Sequence, residues 1–345
     1  MNSVAASLPR RRPGRRALLG ALALLLLATA IWSLTRGAMA IAPADVAGAL
    51  WRWLTGEAPQ GDDGIVLGLR LPRLLLATAV GAALATGGST MQGLFRNPLA
   101  DPGLIGVSAG AAVGAVGAIV LGGKSGSWVV AVSAFIGGLA ATSLVFAIGR
   151  RRPGVANLLL AGVAINAIAM AGVGLLTYLA NENQLRDLTF WSLGSLGGAS
   201  WGRLGIVAPW IVVPLPLLPR AAAALNALLL GDGEAALLGF RPERLQPLLV
   251  GLVALSVGAS VAFTGVIGFV GLVVPHLLRM TCGPDHRFLL PASALGGATL
   301  LVAADALART VVAPGELPIG VLTALVGGPF FLWLLLRRRV GEGVS

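Results

Sequence analysis

The sequence is short of cysteine and of charge, and each shortage excludes a class of protein. Its single cysteine, Cys282, cannot form an intrachain disulfide. Only 11% of its 345 residues are charged, whereas a soluble globular domain averages about 25%. Hydrophobic residues make up 56% of the chain, and its mean hydropathy is +0.87. A soluble enzyme, a disordered chain and a disulfide-stabilised scaffold are therefore excluded.

The charge that is present favours a membrane protein over a partner of nucleic acid. The net charge of +11 comes from 25 basic and 14 acidic residues. The basic residues are scattered between apolar runs, whereas a nucleic-acid-binding protein carries a continuous basic face. An integral membrane protein with basic residues on its cytoplasmic side accounts for both the hydropathy and the charge.

Ten apolar runs approach the length of about 20 residues that a membrane-spanning helix needs. They cover residues 17–34, 72–92, 103–122, 128–149, 158–180, 191–218, 246–264, 266–280, 288–306 and 319–336. The first run follows a cluster of arginines, as in a signal peptide, but it is too long and lacks a suitable cleavage site. We therefore expect an uncleaved first span. Prolines in the second and sixth runs predict kinks, which neighbouring helices can accommodate.

The distribution of arginine predicts the orientation. Ten spans place both termini on one side, and with the N-terminus inside, 17 of the 25 basic residues fall in inner segments. The positive-inside rule agrees with this arrangement. We expect a polytopic domain at 17–339 between cytoplasmic tails at 1–16 and 340–345. Glycine-rich stretches at 81–88 and 106–117 predict close helix contacts.

Two patterns typical of soluble enzymes occur in the wrong context. Gly106-Val107-Ser108-Ala109-Gly110 fits the nucleophile elbow of hydrolases, but it opens an apolar helix instead of joining a strand to a helix. Gly123-Lys124-Ser125 ends a phosphate-loop pattern on the predicted outer side, away from ATP. A membrane enzyme built on Ser108 remains a minor alternative, and we expect no ATPase activity from this chain.

Ligands for metals and for bare ions are also scarce. Cys282, His276 and His286 are close in sequence but lack a repeated ligand spacing, so we expect no metal site. No acidic residue lies in the middle of a predicted span, and intramembrane carboxylates usually mark proton or cation pathways. This composition disfavours a secondary transporter driven by an ion gradient, which remains the main alternative.

Several long motifs resemble those of a known family of transporters. They are Arg70-Leu71-Pro72-Arg73, the stretch Met91–Gly103 (MQGLFRNPLADPG), Leu158–Gly162 (LLLAG), Leu225–Phe240, Gly265–Arg279 and Asp305–Gly320. Together they resemble the permease subunit of type II ABC importers, the bacterial iron–siderophore, haem and vitamin B12 permeases. The resemblance covers about residues 17 to 339.

The resemblance implies an all-α membrane protein with ten transmembrane helices per subunit and a homodimer around a central pathway. It also implies two cytoplasmic ATP-binding subunits, which hold ATP and magnesium, and a periplasmic substrate-binding protein. The chain itself would bind no cofactor and lie in the bacterial inner membrane. An iron chelate would be moved by alternating access. Haem is the first choice of substrate by overall likeness, a ferric siderophore the second and cobalamin the third.

Three arginines are the expected docking residues for the binding protein. Arg70, Arg73 and Arg309 fall on the predicted outer side, against the positive-inside trend. In the family, matching arginines receive acidic residues of the binding protein, and a planar guanidinium suits bidentate pairing with a carboxylate. The alternative is that these arginines anchor the chain to lipid headgroups.

The segment at 225–244 is the expected contact with the ATPase, and two other stretches are the expected gate. In the family, this coupling segment seats in a cleft of the ATPase, and its expected contacts are Glu234, Leu237, Leu238, Gly239 and Phe240. An ordinary interfacial loop is the alternative. The family's cytoplasmic gate matches Asn97, Leu99, Val155 and Ala156. Some relatives carry small hydroxyl residues where Val155 and Ala156 stand, so apolar closure is expected here, with simple helix packing as the alternative.

Overall fold

The computed structural model describes residues 14–122, 126–151 and 154–338, and in these ranges the chain is helical without a β-strand. The all-α fold class is confirmed. Residues 1–13 of the predicted N-terminal tail, the whole predicted C-terminal tail and the Gly123-Lys124-Ser125 pattern lie outside the described residues.

The helices follow one another with short connections. In chain order they are α1 Arg15–Thr35, α2 Pro43–Thr55, α3 Asp63–Leu94, α4 Val107–Leu121, α5 Ser127–Gly149, α6 Val155–Leu179, α7 Glu182–Leu193, α8 Trp201–Arg220, α9 Ala222–Leu228, α10 Asp232–Leu237, α11 Pro242–Thr264, α12 Val270–Cys282, α13 His286–Ala308 and α14 Ile319–Arg338. Within α3, residues Val66–Arg70 form a π-helical turn.

The described helices that coincide with predicted spans fall into two classes by length. Seven of them, α1, α3, α5, α6, α8, α11 and α13, are long and apolar enough to cross a membrane. Three shorter apolar helices, α4, α12 and α14, coincide with the other three predicted runs. That these three also cross the bilayer, which would make ten spans, stays a prediction.

The sixth predicted run, 191–218, has the wrong boundaries. The structure divides it between the end of α7, at Leu193, and α8, which begins at Trp201. Gly194 ends α7 with a φ of 71°, and a Cβ there would lie 2.6 Å from the carbonyl oxygen of Val266. This close approach requires glycine. The regular helix is interrupted within α8 at Val213, between Pro209 and Pro214, although the Val213 backbone stays helical with a φ of −70° and a ψ of −49°. A kink at this position stays a prediction.

Three helices, α3, α11 and α13, form the centre of the bundle. In α11 and α13, 67% of the most apolar window is buried, against 17% in α6. Helix α3 packs against α11, α12 and α13. A Cβ on Gly88 of α3 would overlap the carbonyl oxygen of Gly271 in α12, so only glycine allows these backbones to approach. The exposed face of α6 needs lipid or another protein surface to cover it.

Candidate functional site: the two ends of the bundle

Two contacts define the opposite ends of the bundle. At one end, Arg15 of α1 bonds to Asp285, the N-cap of α13, at 2.8 Å. Burial raises the pKa of the Asp285 carboxyl, but hydrogen bonds from Asn226 and the backbone of Arg287, together with Arg15, outweigh it and hold the pKa below its usual range. At the other end, α13 finishes beside the last turn of α1, where Arg309 meets Ser33.

Arg70 and Arg309 are buried at this second end and bind the C-terminal turn of α1. Nη1 of Arg70 donates to the carbonyl of Leu34 at 2.5 Å, and Nη2 of Arg309 donates to the hydroxyl of Ser33 at 2.7 Å and to its carbonyl at 3.2 Å. The last carbonyls of a helix lack partners within the helix, and cations are favourable there. The two arginines are only 6% and 7% exposed.

Arg73 lies between two carboxylates at the same end. Its guanidinium bonds to Asp305 at 2.9 Å and makes two parallel hydrogen bonds of 2.9 Å to Glu316. Asp305 is buried and also pairs with Arg309, four residues further along α13, at 3.0 Å. We call Arg70, Arg73, Arg309, Asp305 and Glu316 the outer charge cluster. It holds three positive and two negative side chains.

All members of the outer charge cluster except Asp305 line a cavity of about 320 Å³ together with small and apolar residues. The excess of one positive charge favours a carboxylate as the visiting group. Glu316 is the more exposed of the two carboxylates, with 45% of its side chain accessible against 1% for Asp305. The internal partners of the arginines were not predicted, although the four-residue spacing of Asp305 and Arg309 was a readable signal for a helical ion pair.

The coupling segment, residues 225–244, lies at the opposite end and exposes apolar side chains. Leu237 and Leu238, at the end of α10, are 89% and 61% exposed. Glu234 and Gly239 are exposed as well, whereas Phe240 is partly buried and packs on the hydrophobic core. Exposed apolar side chains that stand together mark interaction surfaces. Four of the five expected contact residues are therefore accessible, and Phe240 supports them from beneath.

The shape of the coupling segment follows from two glycine positions. Gly231, with a φ of 130°, separates α9 from α10, whereas Gly233 lies inside α10 and does not interrupt it. Gly239 has a φ of 88° and forms a Schellman motif, in which the amide of Phe240 donates to the carbonyl of Ala235 at 3.0 Å. This motif turns the chain back and brings Phe240 against the bundle.

A second Schellman motif ends α3, and it carries an arginine where glycine is usual. Arg96 has a φ of 52°, and the amide of Asn97 donates to the carbonyl of Gln92 at 3.1 Å. The side chain of Arg96 bonds to Asp232, the first residue of α10, at 2.8 Å. The residue just before the predicted gate stretch is therefore joined to the coupling segment by an ion pair.

The predicted gate residues occupy two places at this end. Asn97 accepts a hydrogen bond from the amide of Leu99 at 2.9 Å, which fixes a tight turn, and the Leu99 side chain is exposed. Val155 begins α6 and lines a cavity of about 390 Å³ that also includes Asp232. Ala156 is exposed. The Arg96–Asp232 bond thus lies between the two stretches.

Ser108 and the histidines occupy positions that do not resemble an enzyme site. Ser108 lies in the first turn of α4, after a short 3₁₀ turn at Pro102–Ile105, so the strand that a nucleophile elbow needs does not precede it. Across residues 14–122, 126–151 and 154–338, no group of three His, Cys, Asp or Glu side chains is placed to hold a metal ion.

Comparisons with known proteins identify the same family over nearly the whole chain. Residues 25–337 match the model of the FecCD transport family. The chain is 50% identical to the hemin transport system permease protein HmuU of Yersinia pestis, over 94% of this chain and 96% of that protein. It is 42% identical to the vitamin B12 import system permease protein BtuC of Klebsiella pneumoniae, over 97% of each chain.

A solved structure supports the fold. The chain superposes on a protein described as an inward-facing metal-chelate type ABC transporter with a TM-score of 0.83 and 34% identity. The match covers 93% of this chain and 99% of that one. Family, relatives and fold agree, and the chain belongs to the FecCD transport family, as a permease of the type II ABC importers.

Proposed function

We propose that this chain is the membrane-spanning subunit of an importer that carries an iron chelate, haem foremost, from periplasm to cytoplasm. The observation that carries the proposal is the difference between the surfaces at its two ends. One end offers a cavity with excess positive charge, and the other an exposed apolar turn tied to the predicted gate. These surfaces suit a soluble acidic partner on one side and an ATP-hydrolysing partner on the other.

The outer charge cluster would dock the periplasmic binding protein through Arg73 in particular. Arg70 and Arg309 hold the end of α1 and are committed to backbone carbonyls, so they contribute mainly their charge. Arg73 faces the more exposed carboxylate of the cluster, Glu316. An acidic side chain of the binding protein can replace Glu316 on Arg73, with no change in the geometry of the guanidinium. Two copies of the chain would present two such patches.

The coupling segment would seat in a cytoplasmic ATP-binding subunit through Leu237 and Leu238. Movement of α10 would reach Asn97 and Leu99 through the Arg96–Asp232 bond, which gives ATP hydrolysis a path to the gate. A second copy of this chain would cover the exposed apolar face of α6 and enclose the pathway between the subunits. The arginine distribution supports an orientation with this end and both termini in the cytoplasm of a bacterium, and with the chain in the inner membrane.

Haem is the preferred substrate because the haem-permease relative is 50% identical and the vitamin B12 permeases are 42% identical. The similarity to a metal-chelate transporter keeps a ferric siderophore second, with cobalamin third. A caged chelate brings its own metal ligands, so a pathway poor in ligands can let it pass without retaining it.

The substrate is tested by offering haem, ferric siderophores and cobalamin to the partner periplasmic protein and to the reconstituted importer. We expect haem to bind this partner most tightly. We also expect haem uptake to be inhibited least when the other two compounds are added as competitors. Preferential binding and uptake of cobalamin or of a siderophore would overturn the assignment to haem while leaving the transport function in place.

A further inference from the structure

A small pocket at the coupling end carries positive charge that nothing described so far uses. It has a volume of about 290 Å³ and lies where α3 and α12 end and α13 begins. Its walls include Gln92, His276, Arg279, Met280 and His286. We call it the Arg279 pocket. Leu229 of the coupling segment also lines it, whereas Leu237 and Leu238 do not.

Arg279 has no acidic partner among the described residues. Within residues 14–122, 126–151 and 154–338, no carboxylate lies within ion-pairing distance of its guanidinium, and its Nη2 is buried without a hydrogen-bond partner. The other arginine on the pocket wall, Arg96, is paired with Asp232. Asp285, close by in sequence, is already bound to Arg15 and Asn226. A partly buried charge without a counter-charge is costly, so the pocket favours an anionic ligand.

The amide of Gln92 adds a second requirement. Its Nε2 donates to the carbonyl of Gly271 at 3.3 Å, which fixes the orientation of the amide, and its Oε1 is buried without a partner. Gln92 is only 1% exposed. An anion that also carries a hydroxyl group satisfies both the guanidinium and this acceptor. A phosphate ester of glycerol has this combination.

The position of the pocket indicates where such a ligand comes from. Met280, on its rim, is 58% exposed, and Leu277, one turn back along α12, is also exposed. In the orientation proposed above, these apolar side chains would meet the hydrocarbon of the bilayer, and the pocket would open at the level of the lipid headgroups. Basic pockets between spanning helices on the cytoplasmic side bind anionic headgroups. We propose that the Arg279 pocket binds the glycerol phosphate headgroup of an anionic phospholipid, such as phosphatidylglycerol, in the cytoplasmic leaflet.

The test compares Arg279→Gln with a matched control, Arg287→Gln, which removes an exposed charge on the same side of the molecule. The purified full chain is loaded with an equal mixture of phosphatidylglycerol and phosphatidylcholine, and native mass spectrometry counts the lipids retained. We expect the unmodified chain and Arg287→Gln to retain phosphatidylglycerol preferentially. Arg279→Gln should lose this preference by about tenfold or more, since it removes charge-assisted hydrogen bonds.

Two further arms separate the sources of the anion. Inorganic phosphate is titrated against lipid-free chain while its melting temperature is followed. Stabilisation by inorganic phosphate alone, without preferential retention of phosphatidylglycerol, would assign the pocket to a free ion and overturn the lipid proposal. Equal retention by all three chains would also overturn it. So would Arg279→Gln weakening attachment of the ATP-binding subunit alone, because the anion would then be a carboxylate of that partner.

A variant that fails to fold does not leave the question open. The unmodified chain can be reconstituted with photoreactive phosphatidylglycerol, and its crosslinked peptides mapped. Crosslinks to residues 276–287 support the pocket, whereas crosslinks confined to other segments contradict it. These measurements need neither ATP nor substrate, so a failed lipid proposal is distinguishable from a failed transport function.

Discussion

The two ends of this bundle present their surfaces in opposite ways. At the outer end, the charged groups of Arg70, Arg73 and Arg309 are largely buried and bound to other parts of the chain before any partner arrives. At the coupling end, Leu237 and Leu238 project from a six-residue helix and touch little of their own chain. The outer end is therefore ready for electrostatic recognition, and the coupling end for apolar contact. Helix α3 joins them, because it begins just before Arg70 and ends just before Arg96.

The largest effect is expected from a charge placed on the apolar surface of the coupling end. Leu238→Asp should reduce ATP-driven uptake in reconstituted vesicles to background, because the carboxylate would be buried in the contact with the ATP-binding subunit. The matched control is Leu54→Asp, which changes an exposed leucine of α2 at the outer end and should retain uptake. Normal uptake by Leu238→Asp would show that this surface does not couple the two proteins.

The helix that joins the two ends should tolerate a methyl group at one glycine and not at another. Gly88→Ala would force the added Cβ into the carbonyl of Gly271, and we expect a loss of about 1–3 kcal/mol in the free energy of unfolding. Gly68→Ala, in the same helix, places its Cβ in open space and should leave stability unchanged or raise it slightly. Thermal unfolding in detergent compares them, and equal melting temperatures would contradict the packing described here.

At the outer end, two substitutions should act in opposite directions. Arg73→Gln should weaken docking of the binding protein about tenfold, because it removes the most available guanidinium. Glu316→Gln should strengthen docking, because it removes the internal carboxylate that competes for Arg73. Both effects should shrink as salt is raised from 50 to about 300 mM. Binding measured with the chain in nanodiscs is the readout, and unchanged affinity in both variants would refute the docking role.

The smallest effect is expected from the bond between the gate stretch and the coupling segment. Arg96→Gly keeps the left-handed backbone, which glycine favours, but removes the ion pair to Asp232. Uptake per ATP hydrolysed should fall about two- to fivefold, in line with a partly exposed pair. Exchanging the charges, with Arg96→Asp and Asp232→Arg together, should recover part of the loss. A double variant no better than Arg96→Asp alone would exclude transmission through this bond.

The sequence was sufficient for what composition and long motifs determine. Hydropathy located the apolar helices, apart from the boundaries of the sixth run, and glycine-rich stretches predicted close contacts of the kind seen at Gly88. These features are local, since each depends on residues that are neighbours along a helix or on the length of an apolar run.

Other features depend on residues far apart in the chain, and the sequence did not reveal them. The helix ends at Gly194 where the backbone of Val266, in another connection, comes close to it. The apolar run at 191–218 carries no signal of this distant contact. The partners of Arg70 are carbonyls more than 30 residues away, and a carbonyl carries no sequence signal. Arg96 has a left-handed backbone, for which glycine is the usual residue, and its side chain pairs with Asp232. That partner lies 136 residues further along the chain.

The source of energy for transport tests the central proposal most directly. The chain would be reconstituted with its ATP-binding subunits and binding protein in vesicles, and accumulation of haem would be measured with ATP alone and with proton or sodium gradients alone. The account predicts uptake that requires ATP and the binding protein, is unaffected by collapse of the ion gradients, and is lost in Leu238→Asp. Uptake driven by an ion gradient without ATP would contradict it and identify a secondary transporter.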